Sequence, residues 1–147
     1  MDRRPGFTLI EMLIVLVIIG LVGLISLPKL NHAFARSNVV SAKARLTALY
    51  AVARATATGS SRTATLRVNG NTVMVYASPR RNAGAGNCDT IVRPTDLSTS
   101  FGVTLSGGVD SVRVSSSGLG LDSAAIVLTK YTAIDTLYIS RYGRVLQ

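Results

Sequence analysis

Hydrophobic and polar positions divide the chain into three stretches with different periods. From Phe7 to Leu27 the residues are almost all apolar, and Glu11 is the one charged residue among them. These 21 residues, at about 1.5 Å of rise each, are enough to cross a hydrocarbon core of about 30 Å. A backbone in that medium must bond to itself, so the stretch is predicted to be helical. After Pro28 the pattern opens to a period near 3.6. Leu30, Phe34, Val39, Leu46, Leu49, Tyr50, Ala53 and Ala57 make one apolar stripe, with Arg36, Lys43, Arg45 and Arg54 at other positions. Gly59-Ser60-Ser61 supplies a stop, so one helix is predicted over Phe7–Thr58. Pro28 can bend it, because the ring removes a donor and crowds the preceding turn.

Beyond Gly59 the period falls towards 2. Thr63–Val68 and Thr72–Ala77 flank Asn69-Gly70-Asn71, a strong hairpin signal. Pro79 to Thr95 reads as a loop. Later strand candidates are Val103–Leu105, Ser111–Ser115, Ala125–Thr129, Thr136–Ser140 and Arg144–Leu146, punctuated by glycines. The expected fold class is α+β, with a long N-terminal helix packed on a small antiparallel β-sheet or β-sandwich. The expected organisation is a leader over 1–6, a membrane helix over 7–27, an amphipathic helix over 28–58 and a β-rich head over 59–147.

Charge sharpens this division. The net charge is +9, yet Met12 to Cys88 contains no acid and nine bases. From Asp89 onward five acids meet five bases. Such a basic stretch beside a membrane attracts anionic headgroups, acidic protein surfaces or nucleic acid. The lone Cys88 excludes an intrachain disulfide, and no Cys/His cluster has metal-ligand spacing. His32 reads as a helix-surface residue. No catalytic constellation emerges: the aspartates are scattered and most sit at turns. Ser115-Ser116-Ser117-Gly118 lacks a nucleophile elbow, and Gly118-Leu119-Gly120 lacks a nucleotide fingerprint. No enzyme, cofactor or metal is expected.

Glu11 is the informative residue. A carboxylate inside an apolar span costs several kcal/mol, roughly, unless it is paired or lies near the interface. A conventional secretory signal explains it poorly. Such a signal has a shorter apolar core and a small-residue cleavage site on the far side. Here the run is longer and Gly6 stands on the near side. Cleavage after Gly6 would create an α-amine on Phe7, four residues before Glu11, as an available cation. Arg3 and Arg4 favour a cytoplasmic N-terminus, and Lys29 and Arg36 oppose it.

Gly6-Phe7-Thr8-Leu9-Ile10-Glu11 and the apolar run behind it resemble the class III signal of type IV pilins and type II secretion pseudopilins. Val112–Gly120, Leu137–Val145 and the Ala/Arg-rich helix from Ala42 to Ala55 are similar to the GspH/FimT-like minor pseudopilins. The resemblance implies cleavage after Gly6 by a prepilin peptidase and N-methylation of Phe7. It makes Glu11 the assembly carboxylate that pairs with a neighbouring subunit's amine, and places Pro28 where the family often has a helix-kinking proline. It implies a single-pass inner-membrane protein with a cytoplasmic N-terminus and a periplasmic head. Its partners would be other pilin or pseudopilin subunits, and it would serve as a non-enzymatic subunit at or near a filament tip. Some FimT-like proteins bind DNA through a basic Gly-Arg-x-Arg motif. Here Gly143-Arg144-Val145-Leu146 keeps only the first arginine, with Arg80, Arg81 and Arg141 as further anion contacts. A third possibility is a membrane-anchored binding domain that never polymerises and keeps Gly6 uncut.

Overall fold

The computed structural model describes residues 7–79, 88–108 and 110–146, and not the side chains of 25–28. Helix α1 runs from Leu9 to Ser60. Strands β1 (Ala64–Asn69), β2 (Thr72–Ala77) and β3 (Asp89–Asp96) follow. A short helix α2 (Leu97–Phe101) leads into β4 (Thr104–Ser106) and β5 (Ser111–Val114). Then come β6 (Ala124–Lys130), β7 (Ala133–Ile139) and β8 (Val145–Leu146). The chain divides into two compact units, Met1–Phe34 and Ala35–Gln147. This is the expected α+β class.

In the second unit the strands form two antiparallel four-stranded sheets, ordered β3-β2-β1-β5 and β4-β6-β7-β8. Their inner faces and one stripe of α1 share a single core. Val39, Ala42, Leu46, Leu49, Tyr50, Ala53 and Ala57 of the helix are all buried. They meet Leu66, Val73, Val75, Val112 and Val114 of one sheet and Ile126, Leu128, Leu137 and Ile139 of the other. The spacing of three and four along α1 puts its seven residues on one side. The stripe is shorter than its sequence pattern: Leu30 and Phe34 are 49% and 63% exposed.

Three elements differ from expectation. The segment Pro79–Thr95 is not all loop, because β3 pairs with β2 from Asp89 to Asp96. Pro94 lies inside it, and an edge strand beside a register shift tolerates the missing donor. Helix α2 was hidden by its brevity. Asp96 caps its start by accepting from Ser98 N at 2.8 Å, and Gly102 ends it at φ 63°. Finally, α1 continues through Gly59. Its terminator is Ser61, at φ 52°, with Arg62 N donating to Ala57 O at 3.2 Å.

Polar contacts clasp the helix at the margins of the core. Lys43 Nζ donates to Asp135 Oδ1 on β7 at 2.9 Å. Arg54 Nη1 donates to the Gly143 carbonyl at 3.3 Å. Beside that bond, two glycine turns from distant parts of the chain interlock. Gly143 has φ 73°, and a Cβ there would stand 2.9 Å from Gly118 O and 3.4 Å from Gly120 N. The Tyr50 hydroxyl is buried below this junction without a hydrogen-bond partner among the described residues. Burial pushes its phenol above the usual range, against an opposing pull from Arg54.

Gly143→Ala is expected to destabilise the head by at least about 1–2 kcal/mol, the cost of a left-handed residue with a Cβ, lowering its thermal unfolding midpoint. The Lys43 ammonium holds the Asp135 carboxyl below the usual carboxylate range. The pair therefore stabilises the fold above the unfolded value of about 3.9. That contribution is lost as pH falls through the lower folded value. Asp135→Asn is expected to lower the unfolding midpoint at neutral pH by an amount worth under about 1 kcal/mol, since the carboxylate is partly in water. The two proteins should converge at acid pH.

Candidate functional site: the N-terminal helix and a basic turn

Residue types in the first unit dictate an unusual helix. From Phe7 to Leu24 its apolar side chains stand exposed, Phe7 at 74% and Leu9 at 84%. No residue of its most apolar 18-residue window is buried, and the helix is long and apolar enough to cross a membrane. A helix apolar on all sides needs lipid or other helices around it. Gly6 lies outside the described residues. Pro28 lies within α1, but its side chain is outside the described set.

Glu11 sits in the first turn of α1. The Thr8 hydroxyl accepts from Glu11 N at 3.2 Å, and Met12 N donates to Thr8 O at 3.3 Å. Thr8 thus caps the helix with Glu11 three residues on, the spacing of a capping box. The carboxylate also stands at the end of the helix where the backbone dipole favours an anion. No cation among the described residues pairs with it. Thr8 is a site residue that sequence reasoning missed, although its Thr-x-x-Glu spacing was the available signal. Thr8 sets where the helix begins, and hence where Glu11 stands along it.

The second region is the turn Ser140–Arg144 between β7 and β8. Gly143 N donates to Ser140 O at 2.9 Å and Ser140 N to Arg144 O at 2.8 Å. Arg141 and Arg144 are both exposed on this turn. Arg80 and Arg81 lie outside the described residues. Arg141 borders an open cleft of about 650 Å³ that Ser111, Arg113, Leu121, Asp122 and Ser123 also line. Arg113 is committed there: Nε and Nη2 donate to the two oxygens of Asp122 at 2.8 and 3.0 Å. That bidentate pair holds the Asp122 carboxyl below its ordinary range, with a smaller pull from Arg141. The cleft therefore offers an anion little beyond Arg141.

Acidic chemistry is likewise spent on structure. Asp89 accepts from Arg62 Nη1 at 2.8 Å, Asp122 and Asp135 hold ion pairs, and Asp96 caps α2. Among the described residues no group of three His, Cys, Asp or Glu could hold a metal ion. Cys88 is exposed.

A family profile described as the prokaryotic N-terminal methylation motif matches residues 1–27. No curated protein sequence matches the chain. Among solved structures, the fold is similar to the type IV minor pilin FimU of Pseudomonas aeruginosa strain PAO1 in two crystal forms. The P21 form is 18% identical with a TM-score of 0.57, covering 76% of this chain and 88% of that one. The P65 form is 19% identical with a TM-score of 0.53, covering 72% and 89%. The methylation motif thus stands at the start of the chain, and the fold behind it is similar to that of a type IV minor pilin.

Proposed function

We propose that the chain is a minor pilin or pseudopilin, a non-enzymatic structural subunit at or near the tip of a type IV pilus or type II secretion pseudopilus. The observation that carries this reading is Glu11 on an exposed apolar helix inside the matched motif. The helix is stored in the inner membrane, with the N-terminus cytoplasmic and the head periplasmic. Prepilin peptidase hydrolyses the bond after Gly6, releasing 1–6, and the new amine on Phe7 is methylated. In the filament, Glu11 pairs with such an amine on a neighbouring subunit. A buried carboxylate without that partner is costly, so correct axial register is favoured over misaligned packing. The apolar surface that faced lipid then faces other helices. Pro28 is the position at which the helix can bend during that transfer.

Intact-mass measurement on protein from membranes containing the peptidase is expected to show loss of residues 1–6 and one added methyl. Glu11→Ala is expected to be processed normally but to be absent from sheared filaments. Normal incorporation of this variant would refute the role given to Glu11, and retention of the leader would favour the non-polymerising anchor.

The exposure of Arg141 and Arg144 on one turn favours a second reading, nucleic-acid capture on the same scaffold. The Arg113–Asp122 pair weighs against it, because it removes from play the other cation lining the cleft beside Arg141. Fluorescence anisotropy with single-stranded and duplex oligonucleotides across a salt series separates the two. The leading reading expects no binding at low ionic strength. Affinity that falls steeply with salt, and is lost in Arg141→Gln/Arg144→Gln, would favour nucleic-acid capture.

A further inference from the structure

We propose that the outward face of the sheet β4-β6-β7-β8 is a docking surface for another protein, one that presents an apolar strip bordered by carboxylates. This goes beyond the role drawn from Glu11 and does not depend on it.

Strand alternation divides β6 and β7 into two sets of side chains. Ile126, Leu128, Leu137 and Ile139 belong to the set buried in the core. The charged residues of these two strands, Lys130 and Asp135, fall in that same set, and both are committed. Lys130 Nζ donates to Phe101 O at 2.6 Å, and Asp135 Oδ1 accepts from Lys43 Nζ at 2.9 Å. The outward set therefore carries no charge. On it, ladder pairs place Ala125 beside Tyr138, Tyr138 beside Leu146 and Thr129 beside Ile134. Ile134, Tyr138 and Leu146 are 67%, 52% and 54% exposed. The solvated face of an antiparallel sheet is ordinarily polar. A face that offers isoleucine, tyrosine and leucine, without a lysine or a carboxylate among them, has the composition of an interface. An open hollow of about 310 Å³ beside Tyr138, bounded also by Ala125, Ser140 and Leu146, gives a partner's apolar side chain a seat.

Charge at the margin of this face says what kind of partner it takes. Ser140 N donates to Arg144 O at 2.8 Å, extending the β7–β8 ladder by one pair. Alternation puts Arg144 on the same side as Leu146, and it is exposed, as is Arg141 on the same turn. No acid occurs from Thr136 to Gln147. The margin nearest Tyr138 and Leu146 is thus cationic, and a partner's carboxylates complement it. A second copy of this chain is a poor match. Residues 35–147 hold 13 bases and five acids. Three of those acids are in ion pairs and Asp96 caps α2. Nucleic acid would use the arginines and leave Ile134 and Leu146 without a role.

The test uses the full chain in a non-ionic detergent. The chain has no tryptophan, so a probe peptide that carries one reports its own binding by fluorescence. The probe has a short valine run flanked by glutamates, and a twin peptide has lysine in place of glutamate. Wild type is expected to bind the glutamate peptide and not the lysine one. Tyr138→Thr, which keeps a strand-forming residue, should weaken that binding about tenfold. Arg144→Glu should reverse the preference between the two peptides. No binding of the glutamate peptide, equal binding of both peptides, or equal binding by wild type and Tyr138→Thr overturns the proposal. Self-association of wild type in sedimentation that Tyr138→Thr abolishes would overturn it by assigning the face to a second copy. Displacement of the peptide by a single-stranded oligonucleotide would overturn it in favour of nucleic acid.

Discussion

The buried stripe of α1 from Val39 to Ala57 is the surface on which both sheets close. Each sheet has one apolar face, and a small head has little interior to spare. The helix lets the two faces meet in one core. Its side chains mix small and large, with Ala42, Ala53 and Ala57 admitting close approach and Leu46, Leu49 and Tyr50 filling the remaining space. The marginal contacts follow from that packing. Lys43 reaches Asp135 and Arg54 reaches Gly143 because their neighbours on the helix are already fixed. The same helix, running from Leu9 to Ser60, presents exposed apolar side chains at its start. One element thus carries two kinds of surface, with its side chains sorted by position along the axis.

Charge is partitioned in a related way. The acids beyond Cys88 mostly satisfy bases or backbone within the head. Arg113 looks available in sequence and is not, because Asp122 holds it in a fork. Glu11 and Asp110 hold no ion pair among the described residues, and of the two Glu11 stands in an apolar helix. An anion left over in an apolar segment, while Asp89, Asp96, Asp122 and Asp135 are used structurally, sets the N-terminal helix apart.

Much of the fold was legible because local and global preferences agree. Asn69-Gly70 sits at a tight turn with Gly70 at φ 57°, between the two expected strands, which pair Asn69 with Thr72. The strands from Ser111 onward fall close to their predicted places. The β6–β7 hairpin is longer than its pattern suggested. Tyr131 takes φ 51° at the turn, and tyrosine carries no turn signal. Strand β3 was missed since an exposed edge strand does not need to alternate. The stripe was overextended to Leu30 and Phe34 because periodicity reports a face without saying what covers it.

The sequence by itself determined the pattern of the N-terminal helix. Span length and the place of Glu11 near its start are properties of consecutive residues, and α1 converts them to geometry without outside help. Tertiary structure alone decided which charges are spent and which glycines are structural. Gly118 and Gly143 are 25 positions apart in sequence, yet a Cβ on one would strike the backbone of the other. Arg113 and Asp122 are brought into contact where Leu121 and Gly120 fold back along β5. Such pairings depend on chain reversals and sheet register, which no local pattern encodes.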